Sequence, residues 1–196
     1  MNKKLIYSLV AVALIFFIAS LIIFLQSKHD LKEKESTAIV KEEVKEEVKK
    51  TELMEVKIFF LTEESRFMTA LPYEIEVPPI REDLFRKYVE LLLSTKEENY
   101  ITPVPEDVKL RTLYYLEQGK LLVLDFNDRL INGFPGGTMV ELEFIYYIVD
   151  NICYNFESEI EKVKFMVSGN EYKVLGGHID IENPFYPDYR YIKDEQ

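Results

Sequence analysis

Residues 125–149 read DFNDRLINGFPGGTMVELEFIYYIV, and they join the end of a strand-like run to the start of an apolar helix. Three glycines, Gly133, Gly136 and Gly137, lie in the turn between them. A P-loop requires a lysine after its last glycine, and a dinucleotide fingerprint requires the spacing G-x-G-x-x-G. Here Thr138 and Met139 follow Gly137, and the glycine spacing is G-x-x-G-G. The stretch therefore predicts a structural turn and not a phosphate-binding loop.

The same stretch predicts how the helix begins. Thr138 and Glu141 have the spacing of a capping box, in which the hydroxyl accepts the Glu141 N–H and the carboxylate accepts the Thr138 N–H. Glycines supply the positive φ angles that a sharp entry to a helix needs. We therefore expect a turn and helix cap built from Gly133, Gly136, Gly137, Thr138 and Glu141.

The helix itself has two predicted faces. We expect its apolar face to pack on a sheet, and we expect the other face to be polar and exposed. The apolar face comprises Leu142, Ile145, Ile148, Val149, Ile152, Cys153 and Phe156, and the other face comprises Glu143, Tyr147, Asp150 and Tyr154. Cys153 is the only cysteine, which excludes an intramolecular disulfide and favours a structural role over a catalytic thiol.

Strand and helix patterns alternate along the rest of the domain. Strands are predicted at 54–61, 66–77, 109–117, 120–127 and 161–169, and a second long helix is predicted at 81–94. The runs at 109–117 and 120–127 flank a turn at Gln118-Gly119 and predict a hairpin. The pattern favours an α+β fold, with two main helices packed on a mostly antiparallel sheet.

The N-terminal quarter of the chain is predicted to be an anchor and a linker. After a short tail at 1–4, residues 5–25 contain no charge, which is enough helix to span roughly 30 Å of hydrocarbon. We expect an uncleaved single-pass transmembrane helix with a cytoplasmic N-terminus and the domain outside the cell membrane. Residues 26–53 form a linker rich in Lys and Glu, and residues 54–196 form the domain.

The charge of this domain excludes one class of partner. It carries 27 Asp and Glu against 15 Lys and Arg, a net charge of −12. A phosphate backbone is bound through basic patches, and none is present in the pattern. We therefore expect no nucleic-acid partner.

Two sets of polar residues have side chains of the kinds that metal sites and hydrolytic sites use. His178 and Asp180 alternate on an extended segment, but a structural metal site needs about four ligands, so a hydrogen-bonded turn histidine is favoured. Two carboxylates can hydrolyse a glycosidic bond, and Glu106, Asp107, Asp125 and Asp128 are the residues considered for this role. We expect no enzyme, no metal and no cofactor, with a wall-cleaving hydrolase as the alternative.

Three stretches in order resemble the GerMN domain of sporulation and spore germination proteins. They are ITPVPEDVKLRTLYYLEQGKLLVLDFN (101–127), GGTMVELEFIYYIVDNI (136–152) and VKFMVSGNEYKVLGGHIDIENPF (163–185). The resemblance covers 56–185 and ends on a closing segment with Gly176, Gly177, His178 and Asp180. It implies a non-enzymatic domain at the outer face of the cytoplasmic membrane, with a fold similar to ring-building modules.

The resulting expectation is a scaffold that assembles or stabilises a cell-envelope complex in sporulation or germination. Its partners would be envelope proteins and the membrane, and an oligomer is compatible with the pattern. Tyr114, Tyr147 and Tyr154 are the candidate interaction aromatics, with simple coverage of the sheet as the other interpretation of these tyrosines. A module that binds or cleaves peptidoglycan is the alternative function.

Overall fold

The computed structural model describes residues 52–62, 67–133 and 137–193. The predicted tail and anchor, nearly all of the predicted linker and Gly136 lie outside the described residues. In the three described ranges, no helix is long and apolar enough to cross a membrane.

The predicted α+β class is confirmed, with strands and helices close to their expected positions. The elements in chain order are β1 (Leu53–Phe60), β2 (Met68–Glu76), α1 (Arg81–Ser94), β3 (Leu110–Leu116), β4 (Leu121–Phe126), α2 (Arg129–Asn132), α3 (Thr138–Asn155), β5 (Lys162–Val167), β6 (Val174–Leu175), β7 (Ile179–Asp180) and β8 (Ile192–Lys193). The predicted hairpin corresponds to β3 and β4, which are joined by a single 3₁₀ turn at Glu117–Gly119.

The strands form two three-stranded sheets and a small hairpin, and this corrects the expected single, mostly antiparallel sheet. One sheet has the order β1-β2-β8, the other has the order β3-β4-β5, and β6 pairs with β7. Each three-stranded sheet contains one antiparallel pair and one parallel pair. The parallel β4–β5 pair arises because α3 carries the chain back to the starting end of β4, so that β5 runs in the same direction.

One contiguous hydrophobic core joins both sheets to α1 and α3. Leu84, Phe85, Tyr88, Val89 and Leu92 form the buried face of α1. Glu82 and Asp83 lie in the first turn, where the helix dipole favours negative charge. The two main helices expected from the sequence are therefore present, and both contribute to the core.

Helix α3 is buried on more sides than its sequence pattern indicates. It contacts β1, α1, β5 and β7. Tyr147 and Asp150 were predicted to be exposed, but both are fully buried. The reason is that a helix enclosed between two sheets and a second helix has no wide solvent face, whatever the polarity of its residues.

Two asparagines on α3 replace a neighbouring strand at the outer edge of β1. Asn151 accepts the Phe59 N–H at 2.8 Å and donates to the Phe59 carbonyl at 3.0 Å. Asn155 makes the same pair of bonds to Lys57, both at 2.8 Å. Residues four apart on a helix rise about 6 Å, close to the roughly 6.6 Å between alternate strand residues, so the two amides match the strand spacing.

The C-terminal strap, residues 186–193, crosses α3 and ends as β8 beside β2. Its Asp188 N–H donates to the buried Asp150 carboxylate at 2.8 Å. Its tyrosine rings also contact tyrosines of α3, Tyr191 against Tyr146 and Tyr189 against Tyr154. The strap is therefore bound to the helix by both a hydrogen bond and aromatic packing.

Candidate functional site

The two sequence motifs, the glycine turn with its helix and the closing segment, meet at Glu141. This carboxylate is fully buried near the start of α3. It accepts the backbone N–H groups of His178 at 3.2 Å and Ile179 at 3.0 Å, and it lies 2.6 Å from His178 Nδ1. A buried carboxylate needs such partners because an unpaired charge inside a protein is costly. We call Glu141 and the turn at residues 176–178 the Glu141 clamp.

Gly176 is necessary for the clamp to close. Its φ is +54°, and a Cβ at this position would lie 2.6 Å from Glu141 Oε1. That distance is far below any ordinary contact, so a side chain here would displace the carboxylate from the turn. Gly177 follows with φ +108°, a backbone conformation that residues other than glycine rarely adopt.

The predicted capping box is not present, although both of its residues lie at the predicted helix start. The helix is capped by Gly137, with φ 112°, and Thr138 is the first helical residue; its side chain is exposed and has no hydrogen-bond partner among the described residues. The Glu141 side chain points to the β6–β7 turn because the backbone N–H groups there are aligned to receive it. Gly133 has φ −95°, and its role is close approach, since a Cβ would lie 2.4 Å from the Arg129 carbonyl oxygen.

His178 and Asp180 do not share a site. The imidazole of His178 binds Glu141, whereas Asp180 accepts the Glu182 N–H at 2.8 Å within a local turn. In the portion of the chain that the structure describes, no three His, Cys, Asp or Glu side chains are grouped as metal ligands would be.

The three candidate interaction aromatics have different environments. Tyr114 lies on β3 with 54% of its surface exposed, as an interaction residue requires. Tyr147 is buried, and its hydroxyl donates to the Leu92 carbonyl at 3.1 Å, which ties α3 to α1 and removes it from any surface. Tyr154 is half-buried between Phe59 and Tyr189.

The four carboxylates that could serve in hydrolysis have different surroundings. Asp125 is buried and accepts from Arg111 at 3.0 Å and from the Gly169 N–H at 2.8 Å, so it holds the turn after β5. Glu106 and Asp107 line a cavity of about 560 Å³ between the loop 102–107 and α2, and Asp128 lies outside that lining.

Cys153 and Asp150 are buried titratable groups on α3. Burial raises the pKa of the Cys153 thiol to about 12, so the thiol stays protonated and unreactive at neutral pH. Burial also raises the pKa of Asp150 to about 7, against the lowering effect of the Asp188 N–H. One oxygen of Asp150 accepts that N–H, and the other, Oδ2, has no hydrogen-bond partner among the described residues.

The sequence pattern did not identify Asn151, Asn155 and Asp150 as important residues. A usable signal was present, because Asn151 is polar yet lies between the apolar Ile148 and Ile152 on a buried helix. Buried polar side chains are nearly always hydrogen-bonded, so such a residue predicts a specific partner. The identity of that partner, the edge of β1, depends on contacts 92 and 98 residues apart in sequence.

Comparison with known proteins agrees with this architecture. The family model Germane, described as sporulation and spore germination, matches residues 57–173. No curated protein matches the chain. Among solved structures, the tandem GerMN domains of the sporulation protein GerM from Bacillus subtilis match with TM-score 0.51 and 15% identity, covering 69% of this chain and 46% of that one. The first GerMN domain of the same protein matches with TM-score 0.48 and 15% identity, covering 69% and 96%.

The tandem structure shows that the fold is shared, and this chain spans about half of its length. The family match begins in β1 and ends just before β6, so it includes both main helices and Glu141. Because the match covers more than half of the residues, this chain belongs to the Germane family, the family of sporulation and spore germination.

Proposed function

We propose that this chain is a membrane-anchored interaction domain, located outside the cytoplasmic membrane, that assembles or stabilises an envelope complex in sporulation or spore germination. The observation that carries the proposal is the family match over residues 57–173. The charge-free run at 5–25 supports the anchor. The net charge of −12 on the domain disfavours binding to anionic lipid headgroups and to nucleic acid.

The buried polar groups support a structural domain and not an enzyme. Glu141, Asp125 and Asn151 each bind backbone groups of another element, and each of these bonds holds the fold together. Exposed apolar side chains, among them Tyr114 and Leu116 on β3, are therefore the candidates for contact with a partner.

The test is recovery of partners with the full chain, tagged at its C-terminus and expressed from its own chromosomal position. Membranes from sporulating and from growing cells are solubilised after mild crosslinking. We expect one envelope protein to co-purify reproducibly from the sporulating cells, and we expect deletion of the gene to lower the yield of germinating spores at least tenfold without slowing growth.

A version lacking residues 5–25 is the control for the anchor, and it should leave the membrane fraction. Recovery of peptidoglycan fragments alone would contradict the scaffold proposal and favour the wall-binding alternative. Shortening of those fragments during incubation would show a hydrolase instead.

A further inference from the structure

The two three-stranded sheets have four outer edges, and the described contacts cover or guard three of them. Asn151 and Asn155 satisfy the edge of β1. At the edge of β5, Val163 exchanges two backbone hydrogen bonds with Phe185, at 2.9 and 2.8 Å. Such protection is expected, because an open strand edge is a template for pairing with another chain.

The edge of β2 is protected by a different combination. β8 pairs with its first two residues, Met68 and Thr69. Further along, Pro72 removes a backbone donor, and the exposed Glu74 and Glu76 place negative charge on the strand. Proline and charge are the devices by which natural proteins block edge-to-edge association.

The fourth edge, that of β3, is different: helix α1 contacts this strand, but no further strand pairs with it in the described residues. In residues 52–62, 67–133 and 137–193, no strand, bridge or side-chain amide pairs with its outer side. The strand reads LRTLYYL, and its Tyr114 and Leu116 are 54% and 49% exposed. Its one charged residue, Arg111, is bound to Asp125 at 3.0 Å. In the part of the chain that the structure describes, the outer backbone edge of β3 is therefore unpaired, and the exposed side chains of Tyr114 and Leu116 lie beside it.

The sequence of β3 is complementary to itself in the antiparallel direction. Lys109 and Arg111 lie at its start and Glu117 follows its end. Antiparallel pairing of two copies brings Lys109 and Arg111, the latter already bound to its own Asp125, toward Glu117 of the second copy, whereas parallel pairing places like charges together. A bulge at Arg111 leaves Thr112 to Leu116 as the regular segment, and its midpoint is Tyr114.

We propose that β3 pairs antiparallel with β3 of a second copy of this chain, across a two-fold axis at Tyr114, to form a continuous six-stranded sheet. In this register Thr112 lies opposite Leu116 of the second copy, and the two Tyr114 rings meet on the outer face. Directly opposite side chains lie about 5 Å apart between Cβ atoms and stabilise a sheet when they are aromatic or apolar.

The register is tested by disulfide formation in the full chain in detergent micelles. Thr112→Cys and Leu116→Cys are prepared separately, one carrying a larger tag. An equimolar mixture should give a crosslinked heterodimer under mild oxidation. Each variant alone should crosslink at least tenfold less, because two copies of the same position are about 14 Å apart. The native Cys153 is buried in every sample.

The edge itself is tested by Tyr114→Lys, which places two like charges opposite each other on the axis. We expect the dissociation constant of the dimer, measured by sedimentation, to rise at least tenfold. Met139→Lys is the matched control, since Met139 is 67% exposed and lies on α3. It should leave the dimer unchanged, and thermal unfolding of both variants checks that they fold.

Three results would overturn the pairing. They are a wild-type chain that stays monomeric to about 1 mM, single-variant samples that crosslink as well as the mixture, and an unchanged dimer in Tyr114→Lys. The biological role of the pairing rests on the proposed function, but the experiments can reject the pairing and the proposed function independently. Loss of the crosslink would leave recovery of an envelope partner untouched, and loss of that partner would leave the crosslink.

Discussion

At the scale of single residues, the buried carboxylate of Glu141 binds a turn that is distant in the sequence. The sequence places a glutamate three residues after a threonine at a helix start, which is the spacing of a capping box. The structure uses the carboxylate to bind two backbone N–H groups about 37 residues later in the chain. Local spacing cannot distinguish these outcomes, because both satisfy the same acceptor and only the packed turn at Gly176 decides between them.

Glu141→Ala is expected to lower the free energy of unfolding by about 3 kcal/mol, because two inward N–H groups and His178 lose their acceptor. Thr138→Ala is the control and should change stability by less than about 0.5 kcal/mol, since the hydroxyl makes no capping bond. Denaturant unfolding of both variants measures the difference. A loss of about 1 kcal/mol for Thr138→Ala, with little effect of Glu141→Ala, would contradict this assignment and support the capping box.

At the scale of elements, α3 shows how far hydrophobic periodicity reaches. Its position and length follow from the sequence, as do those of α1. Its solvent exposure does not follow from the sequence, because the polar residues Tyr147, Asp150 and Asn151 pack against other elements and are buried. Periodicity reports which residues are apolar, but the number of neighbours around a helix is a property of the tertiary arrangement.

Asn151→Ala is expected to lower the free energy of unfolding by about 2–4 kcal/mol, because it leaves the buried N–H and carbonyl of Phe59 without partners. The matched control is Asn170→Ala, an exposed asparagine whose side chain bonds only the nearby Ser168 carbonyl. Amide hydrogen exchange at Phe59 is an independent measurement, and its rate should increase in Asn151→Ala but not in Asn170→Ala. Unchanged protection at Phe59 would show that the amide is not its partner.

At the scale of the whole molecule, stability depends on pH through Asp150, which is buried beneath the C-terminal strap. Burial raises the pKa of this carboxyl from 3.8 to about 7. Between these values the native state keeps a proton that the unfolded chain has released, so stability falls as pH rises. The contribution is fully present below about pH 4 and is lost through about pH 7.

Asp150→Asn is expected to remove this contribution. The stability of the variant relative to wild type should increase between pH 4 and pH 8, by at most about 4 kcal/mol. Asp180→Asn, an exposed carboxylate that also lowers the net negative charge by one, is the control and should run parallel to wild type. Denaturant unfolding at several pH values measures both, and parallel curves for all three proteins would contradict the assignment.

The amino-acid pattern was sufficient to predict the class of the fold, the two main helices, the β3–β4 hairpin and the resemblance to GerMN domains. These features depend on periodicity and turn chemistry within about 20 residues, and such information is local. Four features became visible only in the folded chain: the parallel pairing of β5, the burial of Tyr147, the partner of Glu141 and, among the described residues, the unpaired edge of β3. Each of these depends on which distant backbone groups are satisfied by which side chains, and that is settled when the elements pack together.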